Sequence, residues 1–396
     1  MIPCFLTIPK EGERTSERII RKLRLLALRH LLTADPRAMG RRSTALSQLQ
    51  RVLTVAAKRD AKRVLDAVGS PDVLPWLLVG MSGMRPVDVS ISNAVPSLLA
   101  SLGTLPEAVL WDDPLVDLSD GTRWWHLSPA AHGLQIDPSG ITVRVADGAM
   151  LSLDELPGAT VFPPIRAGVR LANRDRFPLA MMEDHPEKGG NALDLGGRPE
   201  SEWTAAMEAA LALIEAGLPT WYSELPTTLS RLVPVGFDER LHLSASYREA
   251  PGMAYLTLHP NALTLAEAVV HETQHGKLNA LTWLDPVLHN GRTFWTDSPV
   301  RPDERPLIGV LLAVHAFVPV AALHCALAER QWPDPQYFFR RRMEVLRSNA
   351  RGLDTLEEHA EPTGLGSRLL GDLRALHDRL VEAAGGLPDE AAITSQ

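Results

Sequence analysis

Apolar residues recur at three- and four-residue spacing along much of the chain, which is the period of an amphipathic helix. The pattern predicts helices within residues 15–110 and at 200–216, 264–284, 307–330, 337–353 and 366–384. Thr264 is expected to cap the helix that it begins, with Glu267 three residues later as in a capping box. Ser201 is expected to cap the helix at 200–216.

Alternation of apolar and polar residues, typical of half-buried strands, appears between these helices. The segment G-I-T-V-R-V-A-D-G at 140–148 alternates and then reaches Asp147-Gly148, which predicts a hairpin. Two more strands are predicted within 239–258, around Pro251-Gly252. Residues 183–198 are polar and rich in glycine, which predicts a loop. The expected fold class is therefore α+β, predominantly α-helical, with a few short antiparallel strands.

The length of 396 residues is too great for one ordinary core. Changes in pattern indicate three regions. They are an N-terminal helical region (1–110), a mixed α/β region with the Gly-rich loop (111–260) and a C-terminal helical region (261–396).

Composition narrows the function classes. A hydrophobic share of 45% and a charged share of 22% are typical of a globular protein, and the net charge of −8 disfavours non-specific binding to nucleic acid. The cysteines, Cys4 and Cys325, form no C-x-x-C pair, so no zinc ribbon or iron–sulfur cluster is predicted. No signal-peptide pattern and no membrane-length apolar run is recognised, so a cytoplasmic location without a membrane partner is expected.

The candidate chemistry lies in the run V-V-H-E-T-Q-H-G-K-L at 269–278. His271 and His275 are four residues apart on a predicted helix, so both imidazoles lie on one face and can share a metal ion. Glu272 is rotated by about 100° and is expected to reach a metal-bound water from the side. An H-x-x-x-H pair also occurs by chance on helix surfaces. The apolar run before the motif and the glutamate in its second position favour the metal site.

A metal site of this kind needs a third ligand. Leu278 and Leu281 stand where the metzincin pattern has glycine and histidine, so that extension is absent. His315 lies in the apolar run L-L-A-V-H-A-F-V-P-V at 311–320, where a buried histidine needs a strong partner. We expect His315 to be the third ligand; the alternative is a core histidine bonded to a backbone carbonyl.

Three neutral ligands leave coordination positions open, as catalysis requires. With zinc, an open position holds water for peptide hydrolysis, and Glu272 is the general base. With iron(II), the open positions take a 2-oxo acid and dioxygen. The spacing of the histidines does not choose between the two metals.

The sequence around these residues resembles the HExxH-motif peptide-modification proteins of bacterial peptide natural-product clusters, which are iron- and 2-oxoglutarate-dependent peptide β-hydroxylases. The resemblance covers roughly residues 60 to 370. Its segments are D-H-P-E-K-G-G-N-A-L-D-L-G-G (184–197), L-H-L-S-A-S-Y-R-E-A-P-G (241–252), A-V-V-H-E-T-Q-H-G-K-L-N-A-L (268–281), R-P-D-E-R-P-L-I-G-V (301–310) and H-A-F-V-P-V (315–320).

The resemblance implies an iron(II) site on His271, His275 and His315, with Glu272 in a supporting role. It also implies 2-oxoglutarate as co-substrate and a ribosomally made precursor peptide as the partner that is hydroxylated at a β-carbon. Family members often occur fused to, or beside, a radical S-adenosylmethionine enzyme. Since C-x-x-x-C-x-x-C is absent, the stand-alone form is expected.

A 2-oxo diacid chelates iron through its keto-acid end and needs a cation for its far carboxylate, for which a bidentate guanidinium is well suited. The candidates, in order of preference, are Arg305, Arg301 and Arg248. For each one, an ordinary surface arginine is the alternative. Ser246 shares a strand face with Ser244 and is expected to line the pocket.

The function expected from the sequence is therefore iron(II)- and 2-oxoglutarate-dependent hydroxylation of a peptide residue on a helical metal-binding core. Two alternatives stay open. One is a zinc metallopeptidase of the HExxH type, which requires Glu272 for amide cleavage. The other is a non-catalytic protein whose N-terminal helices recruit a precursor peptide to partner enzymes.

Overall fold

In the computed structural model the chain forms two compact units, described over residues 6–182, 189–297 and 304–387. Unit 1 comprises Met1–Ile20, Pro164–Leu171 and Asp194–Gln396, and unit 2 comprises Arg21–Pro163 and Ala172–Leu193. This division differs from the three regions expected from the sequence. The pairing of a short strand at Arg170–Leu171 with a strand at Arg231–Phe237 assigns part of the middle region to the C-terminal unit.

Unit 2 combines helices with two small antiparallel sheets. The helices are α1 (Thr15–Thr33, whose N-terminal end lies in unit 1), α2 (Ser43–Arg59), α3 (Ala61–Val68), α4 (Leu74–Met81) and α5 (Val87–Leu102). The strands are β1 (Val109–Trp111), β2 (Leu115–Ser119), β3 (Arg123–Ala131), β4 (Gly133–Asp137), β5 (Gly140–Arg144), β6 (Met150–Ser152) and β7 (Ala159–Val161). The sheet orders are β1-β4-β5-β6 and β2-β3-β7.

The predicted hairpin at 140–148 is confirmed, because β5 pairs with β6 in antiparallel register. Gly148 supplies the positive φ of 90° that the turn requires. The two-residue alternation of β5 is also visible in its burial, since Ile141 and Val143 face the core.

Unit 1 contains the HExxH run. Its helices are α6 (Glu200–Gly217), α7 (Pro219–Tyr222), α8 (Leu225–Thr228), α9 (Ala262–Thr282), α10 (Leu307–Ala326), α11 (Pro335–His359) and α12 (Gly364–Ala383). Its strands are β8 (Arg170–Leu171), β9 (Arg231–Phe237), β10 (Ser244–Ala245), β11 (Met253–Leu258), β12 (Trp295–Asp297) and β13 (Glu304–Pro306).

The strands of unit 1 form a mixed sheet and a hairpin. The sheet has the order β10-β11-β9-β8, in which β9 runs parallel to both neighbours and β10 is antiparallel to β11. The strands β12 and β13 form the separate antiparallel hairpin. The predicted α+β class, mainly helical with short antiparallel strands, is confirmed, and the parallel pairs are an addition to it.

The predicted helix caps are wrong at both positions. Helix α9 begins at Ala262, and Asn261 caps it by accepting a hydrogen bond from the Leu263 N–H at 2.9 Å. Thr264 therefore lies inside the first turn. Pro199, with no side-chain cap, precedes α6 in place of the expected Ser201.

Helix α10 is apolar and long enough to cross a membrane by length and composition, which the sequence reasoning missed. The structure buries 72% of its most apolar window. The helix packs against α9, α11 and α12, so in this fold it is the core helix of unit 1.

Candidate metal centre

Helix α9 is buried on most of its circumference, because α6, α10 and β11 pack against it. His271 and His275 are only half-buried, whereas Glu272, Gln274 and Lys277 between and beyond them are buried. The four-residue spacing therefore brings both imidazoles to the one side of α9 that is partly open.

The two imidazoles converge on one point. The Nε2 atoms of His271 and His275 lie 2.7 Å apart, and the ring centroids are 4.3 Å apart in an edge-to-face arrangement. Together with a carboxylate oxygen of Glu272, the donor atoms all lie within 4.8 Å of one another. Two neutral imidazoles can share only one proton between facing nitrogens, whereas one cation satisfies both lone pairs. These residues fit a divalent transition metal.

Both imidazoles are held in the neutral form that binds metals. Burial, and then the positive charges of His275 and Arg341, lower the pKa of His271 well below its ordinary value. Burial also lowers the pKa of His275, with Glu272 opposing this effect and Arg305 adding to it. Neutral imidazoles are the metal-binding form near neutral pH.

Glu272 is held by two serine hydroxyls. Ser244 Oγ donates to one carboxylate oxygen at 2.5 Å and Ser246 Oγ donates to the other at 2.6 Å. The two-residue strand period directs both serines towards α9. Each carboxylate oxygen has two lone pairs, so one on each stays available for a further ligand. Ser246, expected to line the pocket, instead orients Glu272, which is 3% exposed.

The structure does not bring His315 into the group formed by His271, Glu272 and His275. On α10, Phe317 contacts the centre, with its ring centroid 4.5 Å from that of His271. A separation of two residues rotates His315 by about 200° from Phe317 around the helix axis. The expectation that His315 is the third ligand is therefore corrected, and Glu272 is the third donor of the group.

His315 is a core residue, as in the alternative considered from the sequence. It is completely buried, and the backbone of Leu6 and of Gln274 lies against its ring and acts on its pKa. Burial, and then the positive charges of Lys277 and His275, lower its pKa to about 3. The ring is therefore neutral at all ordinary pH values.

A buried polar group lies on the flank of α9 beside the imidazoles, since Gln274 is rotated by about 60° from His271 around the helix axis. The Gln274 amide accepts a hydrogen bond from Trp221 Nε1 at 2.9 Å and donates to the backbone carbonyls of Leu6, at 2.9 Å, and His315, at 3.3 Å. Lys277 Nζ donates to Glu224 at 2.5 Å. These bonds fix the rotation of α9 about its own axis, and with it the direction of the metal-binding side chains.

The three candidate arginines have different environments. Arg305 lies on β13, and its positive charge is close enough to lower the pKa of His275. The guanidinium of Arg248 lies 4.0 Å from the centroid of the Trp283 ring, and its Nε donates to Thr282 at the far end of α9. Arg301 lies outside the described residues. Of the two candidates that the structure describes, Arg305 is the one whose charge acts on His275.

No protein-family model matches the chain, and no curated protein matches it significantly. The assignment of the site therefore depends on its own residues.

Sequence reasoning missed His242 and Phe317. His242 precedes Ser244 by two residues, so strand alternation indicates the same face, and its charge acts on the pKa of His271. Phe317 carried no signal, because an aromatic residue in an apolar helix is most often core.

A second buried cluster lies one turn before His271. Glu267 accepts hydrogen bonds from His324 Nε2 at 2.9 Å and from Arg341 through two nitrogens, at 2.8 and 3.0 Å. Burial by itself raises the pKa of the Glu267 carboxyl, but His324 and Arg341 together lower it from 4.5 to about 2. The cluster joins α9 to α10 and α11 beside the candidate metal centre.

Proposed function

We propose that the chain is an iron(II)- and 2-oxoglutarate-dependent hydroxylase of a peptide side chain. The observation that carries the proposal is the convergence of two imidazoles and one carboxylate, with donor atoms within 4.8 Å. Two histidines and one carboxylate with open positions are the donor set of non-haem iron(II) oxygenases. The peptide substrate and the β-carbon position are taken from the family resemblance.

The environment of Glu272 favours this reaction over hydrolysis by zinc. A general base takes up a proton and gives it back in each turnover. Serine hydroxyls that donate to both oxygens hold the carboxylate in one orientation, which suits a ligand or an anchor of the centre rather than a base that exchanges protons. Hydrogen-bonded partners of this kind commonly orient the ligands of metal sites.

The surrounding residues have roles in the same proposal. Arg305 pairs with the far carboxylate of the 2-oxo acid, since its charge acts on the pKa of His275. Phe317 covers His271 and limits the access of water. When bound, the metal with its oxo acid supplies the oxidant. One dioxygen and one 2-oxoglutarate yield succinate, carbon dioxide and one hydroxylated C–H bond.

The test measures succinate released from 2-oxoglutarate under air with iron(II), and the peptide mass after incubation. We expect succinate and a mass gain of one oxygen atom, both lost in His271→Ala and Glu272→Gln. An exposed histidine of the same unit, as in His289→Ala, is the matched control and keeps full activity. Peptide cleavage that requires zinc and Glu272 refutes the proposal in favour of the peptidase.

A second comparison tests the arginine assignment. Arg305→Gln is expected to raise the KM for 2-oxoglutarate at least about tenfold, as the loss of a charge-assisted pair predicts. Arg248→Gln is the control, because its guanidinium lies against Trp283. An equal effect of both variants contradicts the role given to Arg305.

A further inference from the structure

A cleft of about 550 Å³ lies in unit 1 where the chain before β11, the first turn of α9 and the start of α11 meet. This arginine cleft is lined by Arg240, His242, His259, Thr264, Glu267, Tyr337, Arg340, Arg341 and Glu344. Its volume falls within the range of about 300–1,000 Å³ that small-molecule sites occupy.

The charges in the arginine cleft are unequally paired. Arg341 binds both of the cleft's carboxylates, with hydrogen bonds to Glu267 at 2.8 and 3.0 Å and to Glu344 at 3.2 Å. Arg240 and Arg340 are exposed, and within the described part of the chain neither forms an ion pair. The cleft therefore has two guanidinium groups available to an anion.

Asp238, two residues before Arg240, is already hydrogen-bonded. Asp238 accepts hydrogen bonds from the backbone N–H groups of Arg240 and Leu241 at 2.7 and 2.9 Å. These bonds, and after them the charges of His259 and Arg240, lower the pKa of Asp238. Asp238 reduces the positive potential at the edge of the cleft but does not form an ion pair with the guanidinium.

The arginine cleft adjoins the candidate metal centre on the His271 side. Glu267 lies one helical turn before His271 on α9. In the cleft wall, Arg341 binds Glu267, and His242 lies two residues before Ser244, whose hydroxyl donates to Glu272.

We propose that the arginine cleft binds a carboxylate of a molecule that reaches the His271–His275 pair, with Arg240 and Arg340 as the binding cations. The hydroxyls of Thr264 and Tyr337, in the first turns of α9 and α11, are further hydrogen-bond donors. The carboxylate belongs either to an acidic side chain of a peptide substrate or to a small dicarboxylate. The link to turnover rests on the proposed hydroxylase function, whereas the binding itself does not.

The experiment uses the full chain without added metal and two labelled Gly/Ser peptides that differ only in one central Asp or Asn. Fluorescence anisotropy measures their binding, and glutarate is titrated separately by calorimetry. In the Arg240→Gln/Arg340→Gln double variant, the affinity for one of the two carboxylate ligands is expected to fall at least about tenfold, as the loss of charge-assisted hydrogen bonds predicts. Arg379→Gln, an exposed arginine on α12, is the matched control and keeps both affinities.

The outcomes separate the two carboxylate sources and the two proposals. Loss of Asp-peptide binding, with the Asn peptide unaffected, assigns the cleft to the peptide, and loss of glutarate binding assigns it to a dicarboxylate. No carboxylate binding by the wild type, or a change below twofold in the double variant, overturns the cleft proposal. Carboxylate binding without succinate formation supports the cleft proposal and refutes only the proposed hydroxylase function.

Discussion

The buried carboxylate of Glu267 gives a quantitative test of the packing around the candidate metal centre. In the Glu267→Gln variant, His324 and Arg341 lose the negative charge that they surround. A carboxyl pKa of about 2 in the folded chain, against 4.5 for the free group, corresponds to about 3 kcal/mol of stability at neutral pH. Removal of one partner from a buried ion pair costs a similar amount, about 3–5 kcal/mol.

The pH dependence of this stabilisation has a definite sign. The folded-state pKa of Glu267 is depressed, so its contribution is complete above the unfolded-state value near 4.5 and declines as the pH falls towards about 2. Urea denaturation of wild type and Glu267→Gln between pH 7 and pH 3 measures the difference. We expect a gap of about 3 kcal/mol at pH 7 that narrows steadily below pH 5.

Glu344 provides the matched control on the same arginine. It also binds Arg341, at 3.2 Å, but its side chain is 66% exposed. Glu344→Gln is therefore expected to cost no more than about 0.5 kcal/mol. A gap for Glu267→Gln that is below 1 kcal/mol, or that does not change between pH 5 and pH 3, refutes the reasoning about the buried cluster.

Two further predictions concern the centre and the core histidine of α10. Ser244→Ala/Ser246→Ala removes both donors to Glu272, so we expect weaker metal binding by about 10–100-fold in a Co²⁺ titration, whereas an unchanged affinity refutes their orienting role. The pKa of His315 is about 3 in the folded chain and near 6.5 in the unfolded chain. The unfolded chain therefore takes up a proton as the pH falls below 6.5, whereas the folded chain does not, and the folded chain becomes less stable. In urea denaturation, the free energy of unfolding of the wild type is expected to fall by about 1.4 kcal/mol per pH unit between pH 6 and pH 4, relative to that of His315→Leu. The same pH dependence in both proteins contradicts this prediction.

Local sequence patterns predicted the helices and strands better than the contacts between them. The hairpin ending at Gly148 and the helices around His271 and His315 follow from periodicity that is written in adjacent residues. The rotation of α10 relative to α9 is not local, since it depends on how side chains of the two helices interdigitate. Sequence reasoning therefore placed His315 on the correct helix but could not show that Phe317 contacts His271.

The serine pair illustrates the same limit within the site. Alternation indicated that Ser244 and Ser246 share a face, which the structure retains. Their acceptor, Glu272, lies on another element, and the register between a strand end and a helix is set by tertiary packing rather than by either segment. The cap of α9 was also missed, because Asn261 and Thr264 both satisfy the cap preference and only the backbone distinguishes them.

The bond from Gln274 to the Leu6 carbonyl has a practical consequence for anyone preparing the protein. The chain at Leu6 is bonded to the flank of the helix that carries the imidazole pair. An affinity tag or a truncation at that terminus would act on the same helix as a substitution at His271. Matched preparations with tags at either end would therefore have to precede any comparison of metal content among variants.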